Sequence, residues 1–284
     1  MCTSPNQYCS KMLFRWRWIF SSRWLTPGSP TVDTTVARKL PAAALNLVFP
    51  DECRICGASL DNFSNIPVCS HCLSAPQPLL AEHFCRCCQT PFLNEAPLDE
   101  TGLCRLCSGG LTSFDRSYSF GEYSGELRKS IHLLKYGGIQ PLSRPLGKLL
   151  LSAVPRDDVF DFIIPIPLHW RRRWKRGFNQ SELLARTVAK RLGVPLCSGL
   201  KRLWATPSQA GLTNAQRRQN VAGAFVVSKK SLVVNKHVLL IDDVLTTGAT
   251  VNAAAAALKK AGARRVTVLT LARVDRRRPS RLEQ

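Results

Sequence analysis

Residues 238–250, VLLIDDVLTTGAT, bring together groups that suit one kind of ligand. Two adjacent carboxylates, Asp242 and Asp243, follow four apolar residues (Val238, Leu239, Leu240, Ile241) of the kind that fill a buried parallel strand. Thr246, Thr247, Gly248, Ala249 and Thr250 then form a hydroxyl- and glycine-rich turn. The alanine-rich stretch Val251 to Ala261 carries a helical signal up to the stop at Gly262. A helix N-terminus presents free backbone N–H groups and a partial positive charge, which suits a phosphate. Gly248 permits close backbone approach, and the threonine hydroxyls add donors. The carboxylates would meet hydroxyls or a hydrated metal ion one sugar away. A phosphate grip beside a diol grip is what a ribose 5-phosphate requires. Strand sterics alone do not account for the acids, because burying two carboxylates unpaired is costly.

A second set of candidate ligands lies upstream. Of 12 cysteines, eight fall in four CxxC pairs: Cys53/Cys56, Cys69/Cys72, Cys85/Cys88 and Cys104/Cys107. Two such knuckles close one four-thiolate tetrahedral site, so eight ligands predict two structural zinc ions. Sequential pairing, first two knuckles then last two, is the simplest arrangement; an interleaved one stays open, and Cys87 inside CRCC is a rival ligand. Residues 46–110 lack the apolar periodicity to fold well unaided, so metal would supply the missing stability. Disulfides would need an oxidising compartment, and no secretory signal points to one. Four evenly distributed pairs fit paired ribbons better than an iron–sulfur cluster or a redox motif.

The elements that must position these groups are legible from periodicity. Residues 114–123 read as a strand with a turn. Ser124 is a candidate N-cap for a helix carrying Leu127, Ile131 and Leu134, which stops at Lys135-Tyr136-Gly137-Gly138. Lys135 is then a solvated last-turn cation or a phosphate contact. Residues 159–168 form an apolar strand ended by two prolines. A cationic loop follows, from His169 to Gly177, and Phe178-Asn179-Gln180-Ser181 opens a helix capped by Ser181 with Leu184, Val188 and Leu192 as its apolar stripe. This order places the cations at the carboxyl edge of a sheet, where α/β ligands bind and a pyrophosphate would fit. In the polar stretch 207–220, Gln209, Arg217, Arg218 and Asn220 are donors able to close over a substrate. Residues 224–228 and 265–272 read as further strands.

The chain of 284 residues suffices for one α/β domain plus a smaller module. Its net charge is +21, and residues 165–236 hold fifteen Lys/Arg against one acid, Glu182. That imbalance predicts a polyanionic partner: phosphorylated substrate, nucleic acid or both. No stretch reaches the roughly 18–20 apolar residues of a membrane span. Residues 12–25 are interrupted by Arg15, Arg17 and Arg23 and do not form a clean signal-peptide core.

The run at 238–250 resembles the thirteen-residue diphosphoribose-binding signature of type I phosphoribosyltransferases. With the four CxxC pairs, IHLLKYGG (131–138), PIPLHWRRRWKRGFNQSELLA (165–185), QAGL (209–212), RRQN (217–220) and GAF (223–225), residues 46–275 resemble the ComF family of competence-associated, phosphoribosyltransferase-like proteins with an amino-terminal double zinc ribbon. The RGFNQ block separates this family from purine and orotate transferases. The resemblance implies an α/β type I phosphoribosyltransferase fold, a mainly parallel sheet flanked by helices with a small hood, behind an N-terminal double zinc ribbon. The expected divisions are a disordered leader and linker at 1–45, the ribbon module at 46–110, a phosphoribosyltransferase-like domain at 111–275 and a basic tail at 276–284.

By the same resemblance, Asp242 and Asp243 hold the ribose 2- and 3-hydroxyls of phosphoribosyl pyrophosphate. Thr246, Thr247, Gly248, Ala249 and Thr250 cradle its 5-phosphate. Arg171, Arg172, Arg173 and Arg176 face pyrophosphate, and Lys135, Asn179, Gln180, Arg217 and Asn220 complete the binding set. Magnesium would bridge pyrophosphate and ribose oxygens. The implied activity is glycosyl transfer of the phosphoribosyl type to an unidentified acceptor, in the cytoplasm, linked to natural competence, single-stranded DNA and the DNA-uptake machinery. An alternative is a single-stranded nucleic-acid-binding competence factor with little catalysis. Trp170 and Trp174, interleaved with cations, fit binding by charge and stacking; they equally fit simple packing.

Overall fold

The structure, a computed structural model, describes residues 51–60, 64–110, 112–204, 223–228 and 232–274. The expectations for the leader, for Gln209, Arg217, Arg218 and Asn220, and for the basic tail lie outside the described residues. The amino-terminal part is built from short pieces: α1 (Ser70–Ser74), the antiparallel pair β1 (His83–Phe84) and β2 (Pro91–Phe92), and α2 (Arg105–Ser108). The remainder alternates: β3 (Arg116–Glu122), α3 (Gly125–Lys135), α4 (Ser143–Ser152), β4 (Phe162–Pro165), α5 (Trp170–Arg176), α6 (Gln180–Leu192), β5 (Leu200–Arg202), β6 (Phe225–Val227), β7 (His237–Leu245), α7 (Ala249–Lys260) and β8 (Arg265–Arg273).

Four strands form a wholly parallel sheet in the order β3-β8-β7-β4, and β5 and β6 pair as a separate antiparallel hairpin. The unbroken apolar run of β7 is what a strand covered on both faces needs. Val238 and Leu240 enter one apolar cluster with Val251, Ala254, Ala255 and Leu258 of α7, the β5–β6 hairpin and the cysteines 85, 88, 104 and 107. Leu239 and Ile241, one residue out of phase, enter the other with Ile131 and Leu134 of α3, Leu146 and Leu150 of α4, Leu184 and Val188 of α6, and Cys53 and Cys72. Each half of the cysteine module therefore docks on a different side of the sheet.

Both outer strands have their backbone partly paired. Along β3, Leu79 N donates to Phe120 O (2.6 Å) and Ser117 N donates to Cys87 O (2.8 Å). Gly121 allows the first approach, since a Cβ there would stand 2.7 Å from Gln77 O. Along β4, Ile163 N donates to Pro195 O (2.9 Å) and Cys197 N to Ile163 O (2.8 Å). Helix α4 crosses α6 closely at Gly147, where an added Cβ would meet Thr187 Cβ and Cγ2 at 2.6 Å. Overpacking of this kind costs about 1–3 kcal/mol, against a gain near 1 kcal/mol in helix propensity. Gly147→Ala is thus expected to lower the melting temperature, and Gly147→Leu to prevent folding, as read by thermal denaturation.

Two local expectations are corrected. The segment after β4 is a helix of seven residues, not a loop. His169 caps it, its Nδ1 accepting from Arg171 N at 3.3 Å, and Gly177 ends it in the left-handed region at φ 80°. The next helix is capped not by Ser181 but by Asn179, whose Oδ1 accepts from Ser181 N at 3.2 Å and whose Nδ2 donates to Ile166 O at 3.0 Å. Asn179 holds both bonds at once, which leaves the Ser181 hydroxyl for the neighbouring strand end.

Candidate functional site

Strand β4 ends opposite Ile241, so β7 runs past it and carries Asp242 and Asp243 to the rim where Ile166, Pro167 and Leu168 turn away. A cleft of about 700 Å³ opens there, within the range of small-ligand sites. The two acids lie on its floor in different surroundings. Asp243 is buried and pairs with Lys135 Nζ at 2.9 Å; the side chains are 7% and 15% exposed. Burial opposes the charge on Lys135, but Asp243 outweighs it and holds the amine above its ordinary range. Asp242 keeps part of its surface open, and its Oδ1 accepts from Ser181 Oγ (2.9 Å) and Asp243 N (3.0 Å). Burial and the charge of Asp243 push its carboxyl up to about 7 from 3.8.

The sign of that shift makes a prediction. A carboxyl raised on folding contributes stability that is complete below its unfolded value of 3.8 and is lost as pH rises through about 7. Asp242→Asn keeps an oxygen for Ser181 and for the Asp243 amide. It is expected to melt close to the wild type at about pH 4.5 and above it at about pH 8, the window in which the wild-type carboxyl ionises. Equal melting of both proteins at the two pH values would show that Asp242 ionises freely.

The opposite wall is cationic. Helix α5 sorts its charges by helical period: Arg172, Lys175 and Arg176 line the cleft, whereas Trp170, Arg173, Trp174 and Gly177 line a separate exposed surface. Arg176 lies over the Tyr136 ring at 5.1 Å and donates to Gln180 Oε1 at 2.8 Å. Arg202, from β5, completes the wall; burial and the charge of Arg172 pull its guanidinium below its ordinary range, against Asp242. Thr246 and Thr250 close the far end of the cleft.

Of the expected ligand set, Asp242, Asp243, Thr246, Thr250, Lys135, Arg172, Arg176 and Gln180 meet at this cleft. Thr247, Gly248 and Ala249 line a smaller adjoining cavity, which Thr246 shares. Arg171 stacks over Trp170 at 5.2 Å, Arg173 faces Glu182 at 3.6 Å, and Asn179 is consumed in holding α6 to Ile166. Arg217 and Asn220 are outside the described residues. Sequence reading missed Arg202, which sits in a three-residue strand with no motif around it, and the Ser181 contact to Asp242. It also left Lys175 out of the ligand set, although the helical period places it with Arg172 and Arg176.

The cysteines form two groups, 53/56/69/72 and 85/88/104/107, each with its four sulfurs within 4.8 Å of one another. This is the sequential pairing. Cys56 and Cys69 Sγ stand 3.7 Å apart, as do Cys88 and Cys104 Sγ. A tetrahedron with zinc–sulfur bonds of about 2.3 Å has edges near 3.8 Å, so both clusters fit structural zinc. Cys87 stays outside, its Sγ against Thr112 Oγ1 (3.8 Å) and Phe114 O (3.7 Å).

Comparison with known proteins agrees with this architecture. Residues 44–108 match the double zinc ribbon domain and residues 179–283 the phosphoribosyl transferase domain. The chain is 32% identical over 228 residues to competence protein F of Haemophilus influenzae, covering 77% of this chain and 90% of that protein. It is 31% identical over 234 residues to the DNA utilization protein YhgH of Salmonella typhimurium, covering 80% and 99%. Competence protein ComFC of Streptococcus pneumoniae is 26% identical over 78% of this chain and 100% of its own length. Among the described residues, no helix is long and apolar enough to cross a membrane.

Proposed function

Since this chain belongs to the competence protein F (ComF) family, we propose that its cleft binds phosphoribosyl pyrophosphate with magnesium and transfers the phosphoribosyl group. One observation carries the reading: two carboxylates, the Thr246/Thr250 turn and four cations, Arg172, Lys175, Arg176 and Arg202, converge on one cleft. The carboxylates match a ribose diol, the turn a terminal phosphate, and the cations a diphosphate.

The donor set also suits a hard cation that takes oxygen ligands, and Asp243 Oδ2 is buried with no hydrogen-bond partner in the structure. Magnesium, when bound, would neutralise phosphate oxygens and order them. The chain's own groups do the rest. Asp242 and Asp243 orient the sugar and stabilise positive charge at carbon 1 as its bond to diphosphate breaks. Arg172, Arg176 and Arg202 hold the departing diphosphate, and a nucleophile of the acceptor forms the new bond to carbon 1. Lys135 pairs with Asp243 at 2.9 Å and must share it with the ligand.

Isothermal calorimetry tests this directly. Phosphoribosyl pyrophosphate should bind with magnesium, and ribose 5-phosphate and pyrophosphate should each bind more weakly and compete with it. No heat for any of the three would eliminate the reading.

A second reading rests on the outer face of α5, where Trp170 and Trp174 are 62% and 87% exposed. Two rings four residues apart on a cationic helix could stack the bases of a single strand. Here the family role lies in nucleic-acid handling with little catalysis. Affinity for a single-stranded oligonucleotide should then fall with salt and drop on Trp174→Ala. Absence of binding at low salt removes this reading.

A further inference from the structure

The small cavity beneath the phosphate turn is walled on its other side by the second cysteine cluster. Cys88, Cys107, Thr90 and Leu106 face Thr246, Thr247, Gly248 and Ala249 across about 60 Å³. One buried side chain spans this contact. Arg273, the last residue of β8, donates from Nη1 to Cys88 O at 2.7 Å and to Gln89 O, and from Nη2 to Thr90 Oγ1 at 2.8 Å. The Thr90 hydroxyl in turn lies 2.9 Å from Cys88 Sγ. With a metal-bound thiolate at Cys88, that hydroxyl donates to sulfur, and Arg273 holds it in place. Groups of this kind orient metal ligands from behind. At its backbone, Arg273 pairs with Leu245, and Val274 N donates to Leu245 O at 3.0 Å. Leu245 immediately precedes Thr246. A continuous path of hydrogen bonds and one register pair therefore joins Cys88 Sγ to the start of the phosphate turn.

Among the described residues, no such path leads from the first cluster. Cys53 and Cys72 pack with α3, α4 and α6 on the other face of the sheet, and none of its cysteines lines either cavity at the turn.

We propose that Arg273 is a positioning residue that couples metal at the second cluster, and not at the first, to the conformation of the Thr246–Thr250 turn. The consequence for ligand affinity rests on the phosphate role assigned to that turn above; the coupling itself does not.

Hydrogen exchange on the full chain separates the two. Arg273→Gln is expected to speed exchange of the 246–250 amides about tenfold, a loss of about 1.4 kcal/mol of local protection, while α4 is unchanged and native mass spectrometry still counts two zinc ions. Arg273→Lys, which keeps a donor for Cys88 O, should restore part of the protection. Cys107→Ser should reproduce the Arg273→Gln pattern, and Cys56→Ser should leave the turn as in the wild type. Where Cys107→Ser fails to fold, Thr90→Val takes its place: faster exchange at the turn and easier zinc removal by chelator are expected. Equal exchange at the turn in Arg273→Gln and wild type, or equal loss in Cys56→Ser, overturns the coupling. Should the wild type bind no phosphoribosyl pyrophosphate while exchange follows this pattern, the functional reading fails and the coupling stands.

Discussion

Asp242→Asn combined with Asp243→Asn is expected to lower affinity for magnesium phosphoribosyl pyrophosphate at least about a hundredfold. Hydrogen bonds to charged groups contribute about 1.5–3 kcal/mol each, so losing two costs about 3 kcal/mol or more, and every 1.4 kcal/mol is tenfold. Asparagine keeps the size and one oxygen of each side chain, so cleft shape is preserved while the charge opposite the cationic wall is removed. The single variants should divide the effect unevenly. Asp242, partly open to the cleft and hydrogen-bonded to Ser181, is poised for a ligand; Asp243 is already engaged by Lys135. Calorimetry on the folded double variant checks this, and affinity within a factor of about three of wild type would remove the acids from the site.

Lys135→Met is expected to destabilise the protein by about 3–5 kcal/mol, the usual cost of leaving one member of a buried ion pair without the other. The case is sharper than an isolated pair, because Asp243 would remain buried beside the carboxylate of Asp242. Adding Asp243→Asn to Lys135→Met should recover most of the loss, since both charges then disappear together. Denaturant titrations of the two single variants and the double supply the coupling energy. A Lys135→Met protein as stable as the wild type would show that Lys135 and Asp243 do not depend on each other.

How far the site was legible follows from where its signals lie along the chain. The acids, the turn and the four cysteine pairs are contiguous or evenly spaced, so spacing alone announces them. Parallel-strand burial was legible in VLLI, since only a strand covered on both faces tolerates that run. Helix α5 was not. Seven residues without a buried member carry no amphipathic period, and only the His169 cap and Gly177 stop reveal it. Reading that segment as a loop made its arginines equivalent; the helix divides Arg172 and Arg176 from Arg173. Arg202 was invisible for the opposite reason. It reaches the cleft from a hairpin outside the main sheet, and only tertiary structure brings it opposite Asp242. Pairing of the cysteine knuckles needed the fold as well, because each pair offers the same ligands to any other.

The amino-terminal module also shields the rim of the sheet. Backbone atoms of Leu79 and Cys87 occupy hydrogen-bonding positions along β3 that would otherwise face solvent. Unshielded strands recruit other chains. Stripping the ribbons of metal should therefore do more than loosen a small module. It should open β3 to edge-to-edge assembly, with new intermolecular β-structure growing from residues 116–122.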